Sequence, residues 1–127
     1  MIDLKSLLDI EPRDDQKIDM DRMNLLYEMR DQFQEMLGEG SRASFISTRN
    51  DARGLALTLR LEKANVQLDA VSVLATVGDK PWICSGVENE MITCSSRDEL
   101  ETALEKVVSS PYTIQVLSRM MEFGKHV

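Results

Sequence analysis

The segment Gly54–Val77 reads GLALTLRLEKANVQLDAVSVLATV and determines the architecture of the chain. In its first half, leucines at every second position alternate with Ala56, Thr58, Arg60 and Glu62. This period of two predicts a β-strand with one buried face. A short polar link leads to a second apolar run, so the two runs predict an antiparallel hairpin. Because an isolated hairpin is only marginally stable in water, the rest of the chain must cover its leucine face.

In the second arm of this hairpin, the apolar residues switch from one side of the strand to the other. Val66 and Leu68 occupy even positions, whereas Val71 and Val73 occupy odd positions. A strand with a period of two cannot make this change without a bulge or a break. The sequence therefore predicts an irregularity within Asp69–Val71.

Amphipathic helices before and after the strands are predicted to cover the leucine face. Before the central hairpin, the predicted elements are a short helix over Asp3–Ile10, a long helix from Asp14 or Asp15 to Leu37 and a strand over Ala43–Thr48. After it, a second hairpin pairs Trp82–Gly86 with Glu90–Cys94. Two helices follow, one that starts at the capping box Ser96–Glu99 and one from Pro111 to Gly124. This order predicts a single α+β domain over residues 1–127, with an antiparallel meander of four to five strands. One long amphipathic helix precedes the sheet and two helices follow it and pack on it. Residues 1–13 are expected to be a loosely packed N-terminal segment.

The charge of the chain is concentrated at its start. The net charge of the 127 residues is −7, and residues 1–40 hold eleven acids against five bases. Nucleic acid would be repelled by most of such a surface, so we expect no direct nucleic-acid partner. The chain has no apolar run near the ~20 residues of a membrane helix, and its start lacks the pattern of a secretory signal. We therefore expect a cytoplasmic protein with no membrane partner.

Residues suited to catalysis are few in this sequence. The single histidine, His126, is the penultimate residue, and no glycine-rich phosphate-binding motif is present. The spacing of Cys84 and Cys94 fits no familiar zinc pattern. We therefore predict no catalytic residue, no metal site and no cofactor.

Cys84 and Cys94 are predicted to lie on the paired strands of the last hairpin. A disulfide between them is geometrically possible. In a cytosolic chain, two buried reduced thiols are the expected state.

Methionines stand on or beside the apolar stripe of the long helix. Met20, Met23, Met29 and Met36 recur along it. Methionine is flexible and polarisable, so this face is a candidate partner-binding surface. The alternative is that these side chains only cover the leucine face of the sheet.

The same helix has a column of acids at intervals of seven residues. The column consists of Asp14, Asp21, Glu28 and Glu35. It is a candidate surface for a basic partner, although amphipathic helices often contain such columns.

Basic residues gather in residues 42–63, which hold five bases against two acids. They are Arg42, Arg49, Arg53, Arg60 and Lys63. Three interpretations are open: protection of an exposed strand edge, pairing with the acidic helix of the same or a second subunit, and a site for a phosphate or an acidic partner.

These observations favour a non-enzymatic protein–protein interaction module, such as an adaptor, chaperone-like or assembly protein, that forms a homodimer or another homo-oligomer. The alternative is an acidic inhibitor or nucleic-acid mimic of phage or mobile-element type, for example an anti-defence protein. A carboxylate-based enzyme is the third hypothesis.

In size, acidity and the order of a helix before a meander, the chain is similar to secretion chaperones of the type III class. Those chaperones have a helix between the third and fourth strands, and this sequence has no helical period between Val77 and Cys94.

Overall fold

The structure is a computed structural model that describes residues 17–88 and 90–125. Its elements are α1 (Met20–Leu37), β1 (Ser41–Asp51), β2 (Gly54–Lys63), β3 (Val66–Thr76), β4 (Trp82–Gly86), β5 (Met91–Cys94), α2 (Arg97–Val108) and α3 (Pro111–Lys125). The five strands form one antiparallel sheet in the order β1-β2-β3-β4-β5. The predicted α+β meander is therefore confirmed, and a turn rather than a helix joins β3 to β4.

The central hairpin is formed by β2 and β3, with its turn at Ala64 and Asn65. Leu57, Leu59 and Leu61 are buried, as the alternation predicts. Hydrophobic side chains from all three helices complete the core on this side of the sheet. We call this side the inner face.

A bulge at Ala70 explains the change of side in the second arm. Leu59 pairs with Val71 and Arg60 pairs with Asp69, so Ala70 has no partner on β2. Ala70 and Val71 are consecutive and are both buried. The predicted irregularity is confirmed, because the extra residue returns the apolar side chains to the inner face.

Helix α1 begins at Met20, so the predicted start near Asp14 or Asp15 is wrong. Asp19 has an extended backbone, and its side chain accepts a hydrogen bond from the Asp21 amide at 3.0 Å. This N-cap fixes the first turn. Asp14, Asp15 and the predicted helix over residues 3–10 lie outside the described residues, as does the predicted N-terminal segment 1–13.

Two further boundaries differ from the predictions. Strand β1 extends over Ser41–Asp51, because a bulge between Ser47 and Arg49 lets pairing with β2 continue. The last helix runs through Gly124 to Lys125. The Ser96 N-cap is confirmed, because its hydroxyl accepts a hydrogen bond from the Glu99 amide, but the Glu99 carboxylate accepts one from the Ser95 amide and not from that of Ser96.

Helix α1 is fixed to the sheet at both ends by basic side chains. At its start, the Arg22 guanidinium donates a hydrogen bond to the Cys94 carbonyl oxygen at 2.9 Å and lies 4.5 Å from the centroid of the Trp82 ring. At its end, the Lys63 ammonium donates a hydrogen bond to the Leu37 carbonyl oxygen. A cation at this position suits the negative end of the helix dipole.

Candidate protein-binding groove

Helices α1 and α2 lie side by side and run in the same direction. Arg97, the first residue of α2, donates hydrogen bonds to the Asp21 carbonyl oxygen at 3.1 Å and to the Glu28 carboxylate at 2.8 Å. At the other end, Met36 of α1 and Val108 of α2 line the same depression. The two helices thus border an open groove of about 280 Å³.

The floor of this groove is apolar. Residues spaced three or four apart on a helix share a face, so one side of each helix points into the groove. The apolar lining residues are Leu25, Met29, Phe33, Met36, Leu104 and Val108. Met36 remains 44% exposed. An apolar side chain placed here by a partner would therefore remove exposed apolar surface from water.

The rim of the groove is acidic. Glu28, Glu101 and Glu105 line it together with one base, Arg97. The ion pair between Arg97 and Glu28 neutralises one acid, so Glu101 and Glu105 leave a net charge of −2. The rim would attract cations and repel anions.

The predicted methionine surface is divided between the core and the exterior. Met23 is 5% exposed and belongs to the core, whereas Met20 is 56% exposed at the start of α1. Neither lines the groove, but Met29 and Met36 do. Met23 thus covers the inner face, as the alternative interpretation predicted, and the role of the other three as a partner surface stays a prediction.

The predicted acid column meets the groove at one position. Asp21, Glu28 and Glu35 are all exposed, and Glu28 alone among them lines the groove. Asp14, the first member of the column, lies outside the described residues.

Two of the predicted basic residues, Arg49 and Arg60, form ion pairs with acids of the sheet. Arg49 pairs with Asp51 at 2.5 Å, and the hydrogen bond from Arg49 lowers the pKa of the Asp51 carboxyl. The Arg53 amide donates a hydrogen bond to the Asp51 carboxylate at 2.8 Å. These bonds hold the turn between β1 and β2.

Arg60 forms a bidentate ion pair with Asp69, in which its Nε donates to Oδ1 at 2.8 Å and its Nη2 to Oδ2 at 3.3 Å. The hydrogen bond to Asp69 raises the pKa of Arg60. Arg60 stands on β2, which lies between two other strands, so it protects no sheet edge. Lys63 is buried on the inner face, so it does not protect an exposed strand edge either.

Sequence reasoning missed the contribution of α2 to the groove. Glu101 and Glu105 are four residues apart and lie on one side of α2, beside the apolar stripe that contains Leu104. This spacing is visible in the sequence. What the sequence does not contain is the placement of α2 alongside α1.

The two cysteines are free and buried on the inner face. Cys84 pairs with Ile92 and Cys94 pairs with Trp82, so the thiols occupy diagonal positions across the hairpin. Burial raises the pKa of the Cys84 thiol to about 12, with a smaller effect of the nearby Cys94. Burial also raises the pKa of Cys94. Both groups are held as thiols and are poor nucleophiles.

The raised pKa of Cys84 predicts a loss of stability in alkali. An unfolded chain ionises this thiol from about pH 9, whereas the folded protein keeps it protonated to about pH 12. Its contribution to stability is therefore complete below pH 9 and is lost as the pH rises toward 12. Urea denaturation should show that the free energy of unfolding falls less steeply above pH 9 in Cys84→Ala than in the wild type. Equal slopes in the two proteins would contradict this assignment.

Within the described residues, no group of three or more histidine, cysteine or acidic side chains is arranged to hold a metal ion. None of the helices in the described ranges has the length and apolar character needed to cross a membrane.

Comparison of the chain with protein-family models, with curated proteins and with solved structures found no significant match.

Proposed function

We propose that this protein is a non-enzymatic protein-binding module that holds a basic amphipathic helix of a partner protein in the groove between α1 and α2. The observation that carries the proposal is the combination of an apolar floor and an acidic rim between two parallel helices. Grooves of this kind bind helices through apolar anchors spaced i, i+3, i+4 and i+7.

The dimensions of the groove suit a short helix. Leu25 and Met36 lie at its two ends on α1. They are eleven positions apart, which at 1.5 Å per residue corresponds to roughly 16 Å, or three helical turns. Met29 and Met36 are flexible and can adjust to different apolar side chains.

The rim favours a basic occupant. Lysine or arginine residues beside the apolar stripe of the partner would face Glu101 and Glu105. Such charges mainly increase the rate of association and exclude acidic competitors. Affinity would come from the apolar anchors.

The two cysteines are unsuited to act as nucleophiles, because both are buried with raised pKa values. The alternative of an acidic mimic has weaker support. In the acid column, Glu28 forms an ion pair with Arg97, so it does not act as the isolated negative charge that mimicry of a phosphate needs.

Selection from a displayed library of random peptides tests the proposal. We expect the full chain to enrich helical peptides with an apolar stripe flanked by lysine and arginine. Met29→Lys, which puts a cation into the floor, should weaken the selected peptides at least about tenfold, equivalent to 1.4 kcal/mol. Met121→Lys is the matched control, because Met121 is exposed on α3 and does not line the groove. Fluorescence anisotropy with labelled peptide gives the dissociation constants.

Charge reversal distinguishes the contribution of the acidic rim to peptide binding from that of the apolar floor. Glu101→Lys combined with Glu105→Lys should weaken the same peptides and reduce the dependence of their affinity on salt. Enrichment of acidic peptides, or equal binding by the wild type and Met29→Lys, would contradict the proposal.

A further inference from the structure

The face of the sheet opposite the helices is uncovered by the described residues. We call it the outer face. Its two central rows, read across the strands, are Arg49-Ala56-Leu74-Ile83-Thr93 and Ile46-Thr58-Ser72-Ser85-Met91. None of these residues is buried, and Met91 is 72% exposed. A row of apolar and small side chains is thus open in the middle of the sheet.

We propose that a second copy of this chain stacks on the outer face, so that two sheets pack face to face in a homodimer. This inference concerns a different surface from the groove and does not depend on it. Three features of the molecule favour this dimer: the charge of the outer face, its area and the protection of the neighbouring sheet edge.

The outer face is electrically neutral in a protein with a net charge of −7. The register places three bases and three acids on it: Arg42, Arg49, Arg60, Asp51, Glu62 and Asp69. Two of the three bases are already paired within the face, Arg49 with Asp51 and Arg60 with Asp69. A symmetric interface brings each surface patch against its own copy, so neutrality removes the repulsion that a charged patch would produce.

The area is sufficient for a dimer. The three long strands hold 10 or 11 residues each and the two short ones 5 and 4, which makes 41 residues in all. At about 3.3 Å per residue and 4.8 Å per strand, the face offers roughly 650 Å² per copy, or roughly 1,300 Å² in total, which is near the lower end of the range for specific interfaces. Stacked sheets of this kind interdigitate their side chains at about 10 Å separation.

Association through the edge strand β1 is opposed by Gln34 of α1. Its side-chain amide donates a hydrogen bond to the Ser41 carbonyl oxygen at 3.0 Å and accepts one from the Ala43 amide at 2.8 Å. These are backbone groups that an added strand would need. The bulge between Ser47 and Arg49 interrupts the edge farther along. Stacking on the outer face breaks none of these bonds.

Sedimentation equilibrium of the full chain tests the proposal over about 1 µM to 1 mM, a range that covers interfaces of 4–8 kcal/mol. We expect a dimer that added salt does not weaken, because the interface is neutral and salt screens the remaining acidic charge. Ile83→Lys and, on a different strand, Ile46→Lys should each raise the dissociation constant at least tenfold. Both positions are partly exposed, and circular dichroism checks that each variant is folded.

Two control variants test whether the dimer forms through the outer face and not through another surface. Met36→Lys changes the groove and Gln34→Leu changes the β1 edge, and both should leave the dimer intact. A monomeric wild type would overturn the proposal, including the case in which residues 1–16 of the same chain cover the face. A dimer that dissociates in Met36→Lys or in Gln34→Leu, but persists in Ile83→Lys, would also overturn it.

Discussion

Arg22→Met is expected to destabilise the protein by about 3 kcal/mol, because it removes hydrogen bonds to a buried carbonyl oxygen and to a partly buried carboxylate. Arg22 is 2% exposed. Its guanidinium donates to the Asp19 carboxylate at 2.7 Å and to the Cys94 carbonyl oxygen at 2.9 Å. It also lies 4.5 Å from the centroid of the buried Trp82 ring. Methionine would fill much of the volume but would leave both oxygens without these donors.

Urea denaturation of three variants checks this expectation. Arg30→Met is the matched control on the same helix: Arg30 pairs at the surface with Asp31, and such pairs contribute about 0–1 kcal/mol. Arg22→Lys keeps the charge but not the planar fork, so its loss should lie between the other two. Equal losses for Arg22→Met and Arg30→Met would show that the buried network does not stabilise the start of α1.

Gly54→Ala is expected to destabilise the protein by about 3 kcal/mol or more, since it combines backbone strain with a clash that side chains cannot relieve. Gly54 has a φ of 145°. A Cβ atom added there would lie 2.2 Å from the Ala75 carbonyl oxygen and 2.9 Å from the Thr76 Cα, both in the backbone of β3. Strands β2 and β3 would have to separate at this end of the hairpin.

Gly40→Ala is the matched control for the clash. Gly40 also has a positive φ, 79°, but an added Cβ meets no atom within 4 Å. Its cost should be limited to the strain of a left-handed residue, about 1–2 kcal/mol. Thermal or urea unfolding of both variants gives the comparison. If Gly40→Ala were as destabilising as Gly54→Ala, the close approach of β3 to Gly54 would not be the cause.

The sequence predicted those parts of the fold that leave a periodic signal. The alternation in β2 predicted the inner face, and the change of side in β3 predicted the bulge at Ala70. Each signal reflects a local rule about which side of a strand a residue faces. The predicted start of α1 was wrong. Acids before Asp19 are compatible with a helix N-terminus, but the helix begins after Asp19, whose extended backbone and side chain form the N-cap.

Two basic residues show where sequence patterns are insufficient. Arg22 is flanked by Asp21, and its burial depends on the Cys94 carbonyl, which is 72 residues away in the chain. Lys63 has the same parity as the leucines, but its charge suggested an exposed position. Both are buried because a specific carbonyl oxygen accepts their hydrogen bonds.

The candidate groove was predicted only in part. Its α1 side, with Glu28 and Met29, belonged to the predicted partner surface, whereas Arg49, Arg53 and Arg60 proved to lie elsewhere. The α2 side depends on how two helices that are distant in sequence pack on one sheet. No local periodicity contains this information.

Mapping of backbone amide chemical shifts in the full chain, with a peptide obtained from the library selection, tests the proposed binding site most directly. We expect the shifted amides to cluster in Glu28–Met36 and Glu101–Val108, and the amides of Leu74 and Ile83 on the outer face to be unchanged. Shifts centred on the outer face, with the amides of both groove helices unchanged, would contradict it.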